Sequence, residues 1–546
     1  MKLKFAFFVL TALCTATGCV KDYPENAIEP DVLPLSDAEP HYWAGNTKVA
    51  MKAQPEKSFI IFNGEDRYDI IDAEKMDYHV FKTAKVPEGR MFSKGLTRAA
   101  DIENATWAIG STRAFEMSED KILYKSQAYT NSKGVDVFVS HLFYVKLKSA
   151  EDYPVLQQMA DENGVEIIGE VGARLDLWYK LACSAQSDCD ALAMSARFYE
   201  SGLFQYAEPD IMFEVRSCSK QPNSYPEYQA PTRAADAPVP NDPLFPQQWY
   251  LHNPGGLDIN YLEAKAITQG SSDITVLVID IYGVAHNHPD LPDNFNEYYN
   301  DLNDIRHGTA CVGIMGAKTN NNIGIAGIAP NCTYKFKQLP MLYGIDQYAT
   351  ICNTLYNGAL NNNADVISCS WEAYPEENVE GMMMVSELFY QLHQCGRWHY
   401  DETKNLGCVV IFASGNCKLN EPSYIAGWAD LSVSAILKNG DIHSTSNYGS
   451  VAAPGQDIIT TYPMEDRYFT LPDETTEYWS KFEQTSAACP QAAATAALIL
   501  SLNPNLYHYE VVDYIKSTAQ PLSNPKTGNG LLNVGAALQA VIDDIQ

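Results

Sequence analysis

Beyond about residue 240, short apolar runs alternate with stretches of helical periodicity. The runs Ile274–Ile279, Cys332–Gln338, Val366–Cys369, Cys408–Ala413 and Leu431–Ile436 have strand length. Apolar residues at three- and four-residue spacing mark helices over Gly308–Ala317, Tyr348–Asn361 and Glu380–Gly396. Strands that are apolar throughout are buried on both faces, which is the situation of a parallel sheet covered by helices. The pattern predicts a doubly wound α/β fold with a mostly parallel sheet. Ligands of such sheets lie beyond the C-terminal strand ends. Asp280, closing VLVID, and Asn416, closing VVIFASGN, fall at two of those ends.

The stretch Glu483–Leu500, EQTSAACPQAAATAALIL, passes from a polar start into an Ala- and Leu-rich helix. Pro490 is expected early in that helix, where backbone N–H groups have no intrahelical partner. Thr485 and Ser486 then sit at the helix mouth, near the positive end of its dipole. His307, in RHGTACVGI, likewise stands at a helix start. Taken in order, VLVID, RHGTACVGI, VVIFASGN and QTSAACP resemble the subtilisin-like serine peptidases, and so does His288-Pro289-Asp290-Leu291. The order Asp, His, Ser is that of subtilisin. The resemblance covers roughly Pro240 to the C-terminus.

That resemblance implies a subtilisin-like sheet and a set of roles. Ser486 would be the nucleophile, His307 the base, and Asp280 the group that orients His307. Asn416 would donate to the oxyanion together with the Ser486 N–H. An extended substrate would lie beside Ser370, Trp371 and Glu372, with Gly415 allowing close approach. No cofactor is required for this chemistry. A structural calcium ion is expected at Asp290 and the loop Thr319–Ile325. Asn321 would give a side-chain oxygen, Thr319, Ile323 and Ile325 would give carbonyls, and Gln247 or Gln248 would complete the set. The chain departs from the family at three places. Asp280 to His288 is one residue longer than usual, and Gln484 and Glu372 stand where glycines are usual.

Upstream, Val135–Arg216 shows the order βαββαβ, an α+β ferredoxin-like arrangement. Its strands are expected at VDVFVSHLFYVKL, VEIIGEV, ARLDLWYKLA and FQYAEPDIMFEV. It resembles the inhibitory propeptide of subtilisin-like zymogens, including the phrase FYESGLFQYAEPD. Residues 217–241 form a Pro- and Ser-rich linker in which Arg233 is a candidate cleavage point. Residues 242–546 form the peptidase-like domain. Residues 41–134 mix short apolar runs with turns and receive no fold assignment.

The N-terminus has Lys2 and Lys4, an apolar run Phe5–Leu13, and then Ala16-Thr17-Gly18-Cys19. This resembles a bacterial lipoprotein signal spanning 1–18, with lipid on Cys19 and an acidic, Pro-rich tether over 19–40. The apolar run is too short to span a bilayer stably. The protein is thus expected in the bacterial cell envelope, held to a membrane by lipid. Its other partners would be a peptide or protein substrate and its own propeptide. A formal charge of −30 excludes a phosphate-binding face and with it nucleic acid. Of 13 cysteines, removing Cys14 and Cys19 leaves an odd number, so they cannot all pair. Cys183 and Cys189 are close enough in the chain to pair across a loop. Two functions compete: a lipid-anchored serine endopeptidase made as a zymogen, and an inactive subtilisin-fold lipoprotein that binds peptides or glycans. The presence of all four catalytic residue types favours the first.

Overall fold

The structure, a computed structural model, describes residues 40–63, 79–82, 105–111, 122–131, 134, 136–172, 174–184, 186–212, 215–217, 239–255, 257–285, 287–292, 305–339, 346–373, 382–397, 404–463 and 478–545. The signal segment, Cys19, the tether, His286 and most of the linker with Arg233 lie outside them.

The N-terminal half is antiparallel. β1 (His41–Ala44) and β2 (Thr47–Ala50) form a hairpin. Then come β3 (Lys52–Asn63), β4 (His79–Lys82), β5 (Ala105–Ser111), β6 (Ile122–Thr130) and β7 (Asp136–Lys146). After these follow α1 (Tyr153–Glu162), β8 (Glu166–Glu170), β9 (Trp178–Ala182), α2 (Ala191–Glu200) and β10 (Tyr206–Met212). They build one sheet of order β4-β5-β3-β6-β7-β9-β8, with β10 on β7. From β7 onward the spatial order is β10-β7-β9-β8. Asp190 starts α2 by accepting from the Ala193 N–H at 3.1 Å, an N-cap of the ordinary kind. Gly164 follows α1 at φ +63°, and a Cβ there would stand 2.8 Å from the Gln186 carbonyl.

The sequence pattern runs FQYAEPDIMFEV together as one strand, but β10 stops at Met212. Its last described pair is Met212 with Phe138 of β7. The chain then forms β11 (Val215–Ser217), which pairs elsewhere.

The C-terminal half is the doubly wound unit. In order it has α3 (Tyr261–Ile267), β12 (Thr275–Asp280), α4 (Arg306–Gly316), β13 (Thr333–Gln338), α5 (Gln347–Asn361), β14 (Val366–Cys369), β15 (Trp371–Ala373) and α6 (Met383–Cys395). It continues with β16 (Val409–Ala413), β17 (Leu431–Ile436), β18 (Val451–Pro454), β19 (Ile458–Thr461), β20 (Tyr478–Phe482), α7 (Gln484–Leu502), α8 (His508–Ser517) and α9 (Val534–Ile545). Six strands form a parallel sheet of order β13-β12-β14-β16-β17-β18. One face is covered by α4, α7 and α9, the other by α5 and α6, whose apolar core runs on into Phe143, Trp178 and Phe198 of the antiparallel half.

Among the described residues, α7 alone is long and apolar enough to cross a membrane, and it is buried inside the core. It starts at Gln484, so Pro490 lies in its second turn and not at its mouth as the sequence suggested. Cys183 and Cys189 are both free thiols, and Cys311, Cys369, Cys408 and Cys489 are buried free thiols.

Candidate active site

Asp280 is the last residue of β12, at the C-terminal edge of the parallel sheet. One carboxylate oxygen accepts the Tyr282 N–H at 3.0 Å, and the other lies 2.7 Å from His307 Nδ1. The longer spacing to His288 therefore leaves the carboxylate facing His307. The loop after Asp280 is held against α4, where the Ala285 N–H donates to Thr309 Oγ1 at 2.8 Å. Gly308 permits that approach, since a Cβ there would stand 2.6 Å from the Gly283 carbonyl.

His307 is the second residue of α4 and is buried, with Phe482 edge-on at 5.4 Å between ring centres. Burial disfavours its charged form. The adjacent Asp280 carboxylate and the Cys311 thiol together outweigh this and hold its pKa well above the usual histidine value. Its other nitrogen, Nε2, is 2.9 Å from Ser486 Oγ.

Ser486 is the third residue of α7. Its N–H is one of the four without an intrahelical acceptor. Pro490, four residues on, has no N–H to give the Ser486 carbonyl. That carbonyl instead accepts from Ser370 Oγ at 3.2 Å, and the Cys311 thiol is 3.9 Å away. Ser486 Oγ in turn lies 3.0 Å from the Ser370 carbonyl. Gln484 takes a left-handed φ of +69°, which accounts for the glycine usual there, and its side chain donates to Thr445 Oγ1 at 3.0 Å.

Asn416 follows Gly415, whose φ is +102°. The Asn416 side-chain oxygen accepts from Thr485 through its N–H at 3.4 Å and its hydroxyl at 3.2 Å. The loop is fixed by Asn447, a residue the sequence did not single out. Its oxygen accepts from the Cys417 and Leu419 N–H groups at 2.8 and 2.9 Å, and its nitrogen donates to the Ser414 carbonyl at 3.0 Å. The surrounding STSNYG gives no hint of this, because the contact spans 30 residues.

Trp371 and Glu372 belong to β15 and are buried. The Trp371 ring N–H donates to the Ile279 carbonyl at 3.0 Å, anchoring β15 to β12. Glu372 turns inward, accepting the Asn416 backbone N–H at 2.9 Å with the Cys417 thiol at 3.8 Å. The edge of β15 is taken by β11, antiparallel, with Val215 opposite Ala373, Arg216 opposite Glu372 and Ser217 opposite Trp371.

A buried serine, imidazole and carboxylate stand in line on α7, α4 and β12, an arrangement that allows His307 to take a proton from Ser486 while Asp280 faces its other nitrogen. Thermitase of Thermoactinomyces vulgaris is 30% identical over 314 residues, which cover 55% of this chain and 99% of thermitase. The chain belongs to the subtilase family. The family match itself spans residues 271–534. Subtilisin E of Bacillus subtilis is 32% identical over 295 residues, covering 52% of this subtilase and 70% of subtilisin E. Furin of Mus musculus is 28% identical over 341 residues, 58% of this chain, and the matched region spans only 40% of furin. Among solved structures, fervidolysin of Fervidobacterium pennivorans, a keratinolytic enzyme related to subtilisin, superposes with a TM-score of 0.53. That match is 18% identical and covers 74% of this subtilase and 61% of fervidolysin, so it speaks to the fold alone.

Of the residues expected to hold calcium, Asp290, Asn321 and Ile325 are brought together. Asp290 accepts from the Asn321 amide nitrogen at 2.8 Å, the Ile325 N–H at 2.9 Å and the Tyr478 hydroxyl at 3.2 Å. The Asn321 oxygen accepts the Ile323 N–H at 2.7 Å. Thr319 Oγ1 lies 3.3 Å from the Gly327 carbonyl. Gln248 spends its amide on Ala326, accepting its N–H at 2.7 Å and donating to its carbonyl at 2.8 Å.

Proposed function

We propose that this subtilase is a serine endopeptidase of the bacterial cell envelope, lipid-anchored through Cys19 and made as a zymogen. The observation that carries the reading is the line of Asp280, His307 and Ser486, at 2.7 and 2.9 Å. Ser486 Oγ attacks the substrate carbonyl while its proton passes to His307 Nε2. Asp280 stabilises the resulting imidazolium and fixes the ring through Nδ1. The carbonyl oxygen becomes an oxyanion, met by the Asn416 amide and the Ser486 N–H. His307 then returns the proton to the leaving amine, and water repeats the sequence on the acyl-enzyme.

The zymogen reading is supported by β11. A short strand from the end of the βαββαβ segment pairs along β15, the edge on which an extended substrate would add. It runs toward Ser370, whose carbonyl faces Ser486 Oγ. Self-processing would then fall soon after Ser217, upstream of Arg233. The lipid anchor is supported by the Ala16-Thr17-Gly18-Cys19 sequence after a basic and apolar start.

A fluorophosphonate probe tests the chemistry. We expect labelling at Ser486 by peptide mass, lost in His307→Ala. Absence of labelling in processed protein would favour a binding role instead. Cys19→Ser is expected to move the protein out of the membrane fraction, and unchanged membrane association would remove the anchor from the proposal.

A further inference from the structure

At the N-terminal end of the parallel sheet, away from the triad, three side chains from separate elements meet. His393 lies in the last turn of α6, Asp430 directly precedes β17, and His508 opens α8. His508 Nδ1 is 2.7 Å from an Asp430 carboxylate oxygen, and His393 Nε2 is 3.2 Å from the same group. The two imidazoles are stacked, with ring centres 3.9 Å apart and planes within 9°. Two histidine nitrogens and one carboxylate oxygen all lie within 4.8 Å of one another.

We propose that His393, Asp430 and His508 form a binding site for a zinc-class divalent transition metal. The donor set of two imidazole nitrogens and a carboxylate oxygen suits zinc and its neighbours, whereas calcium requires mainly oxygen ligands. The carboxylate is already oriented. Oδ1 lies toward both histidines, while Oδ2 accepts the Val410 N–H at 2.7 Å and also lies 3.2 Å from His393 Nε2, so an outer partner fixes the carboxylate beside the imidazoles. The backbone is shaped for the histidine pair. Gly407 has φ +75°, and a Cβ there would stand 2.7 Å from the His508 ring and 3.0 Å from the His393 carbonyl. The His508 N–H is held by the Leu406 carbonyl at 2.8 Å. The site is open on one side, since the histidine side chains are 21% and 17% exposed while Asp430 is 6% exposed. Solvent can therefore deliver the ion and complete its coordination. An ion here ties α6 and α8 to the start of β17 and leaves the Ser486 chemistry untouched, so it stands or falls separately from the proposed peptidase function.

The test uses the full chain carrying Ser486→Ala, so that it cannot cut itself, freed of metal with a chelator. Zinc is titrated against a chromophoric competitor of micromolar affinity. One tight equivalent is expected. His393→Gln and His508→Asn are each expected to weaken it by at least about a hundredfold, more than loss of an outer-shell partner brings. Asp430→Asn keeps an acceptor for Val410 and should fold as the parent while also binding more weakly. Zinc should also shield His393 and His508 from diethyl pyrocarbonate in the unsubstituted chain, a readout that needs no variant. The proposal is overturned if no zinc is retained against the competitor, if the variants bind as the parent does, or if zinc shields only His307. In those cases the carboxylate merely joins two histidines by hydrogen bonds.

Discussion

Thr485 holds Asn416 by its oxygen, through both a backbone N–H and a hydroxyl. Under the proposed mechanism the amide nitrogen is left to donate to the oxyanion, an interaction that strengthens as charge develops on the substrate oxygen. Asn416→Ala should therefore lower kcat by about a hundred- to a thousandfold with KM nearly unchanged. Equal losses in kcat and gains in KM would assign Asn416 to ground-state binding. Glu372, on β15, meets that loop, its carboxylate buried against the Asn416 N–H. A negative charge there opposes a nearby oxyanion unless a cation accompanies the substrate. Cleavage should accordingly favour Lys or Arg before the scissile bond, and Glu372→Gln should reduce that preference by about tenfold. A peptide library cut with no basic preference would remove Glu372 from specificity. The meeting of Asp280, His307 and Ser486 was legible because each sits at a strand end or helix start, and local sequence marks those places. The inward turn of Glu372 was not, because it depends on a backbone 44 residues away. His393, Asp430 and His508 have no telling spacing for the same reason.

At the level of elements, β10 and α6 meet through Glu208. The carboxyl accepts the Met383 N–H at 2.7 Å, while its second oxygen has no partner among the described residues. Burial raises its pKa to about 8 despite the backbone donors at Met383 and Met384. Asp210 on the same strand is raised to about 6, by burial and then by Asp346. A raised carboxyl binds its proton more tightly in the folded state than in the unfolded one. Its contribution is thus complete below the ordinary carboxylate range and is lost as pH rises toward about 8. In the uncut Ser486→Ala chain, Tm should fall between about pH 5 and pH 8.5, and Glu208→Gln should flatten the slope. Identical slopes in the two proteins would show that Glu208 does not titrate there. The parallel strands were legible as apolar runs, with ends shifted by a residue. β18 escaped notice because VAAP is short and closed by Pro454. β11 was absorbed into β10 because the run FQYAEPDIMFEV reads continuously, while the pairing of Val215 with Ala373 rather than with β7 is a contact far apart in sequence.

The whole molecule joins an antiparallel half to a doubly wound half through one continuous core. The apolar periodicity of residues 41–134 was broken by turns, and the strands there became legible only from their pairings, β1 with β2, β4 with β5, β3 with β5 and β6, and β6 with β7. If β11 lies on the substrate edge of a working Ser486–His307–Asp280 site, the chain is its own first substrate, and intact-mass measurement of the purified full chain over time reads this out. We predict a single first cut soon after Ser217, upstream of Arg233, that is absent in Ser486→Ala prepared alongside. A chain that stays whole under these conditions, or one cut at the same place after Ser486→Ala, would contradict the claim.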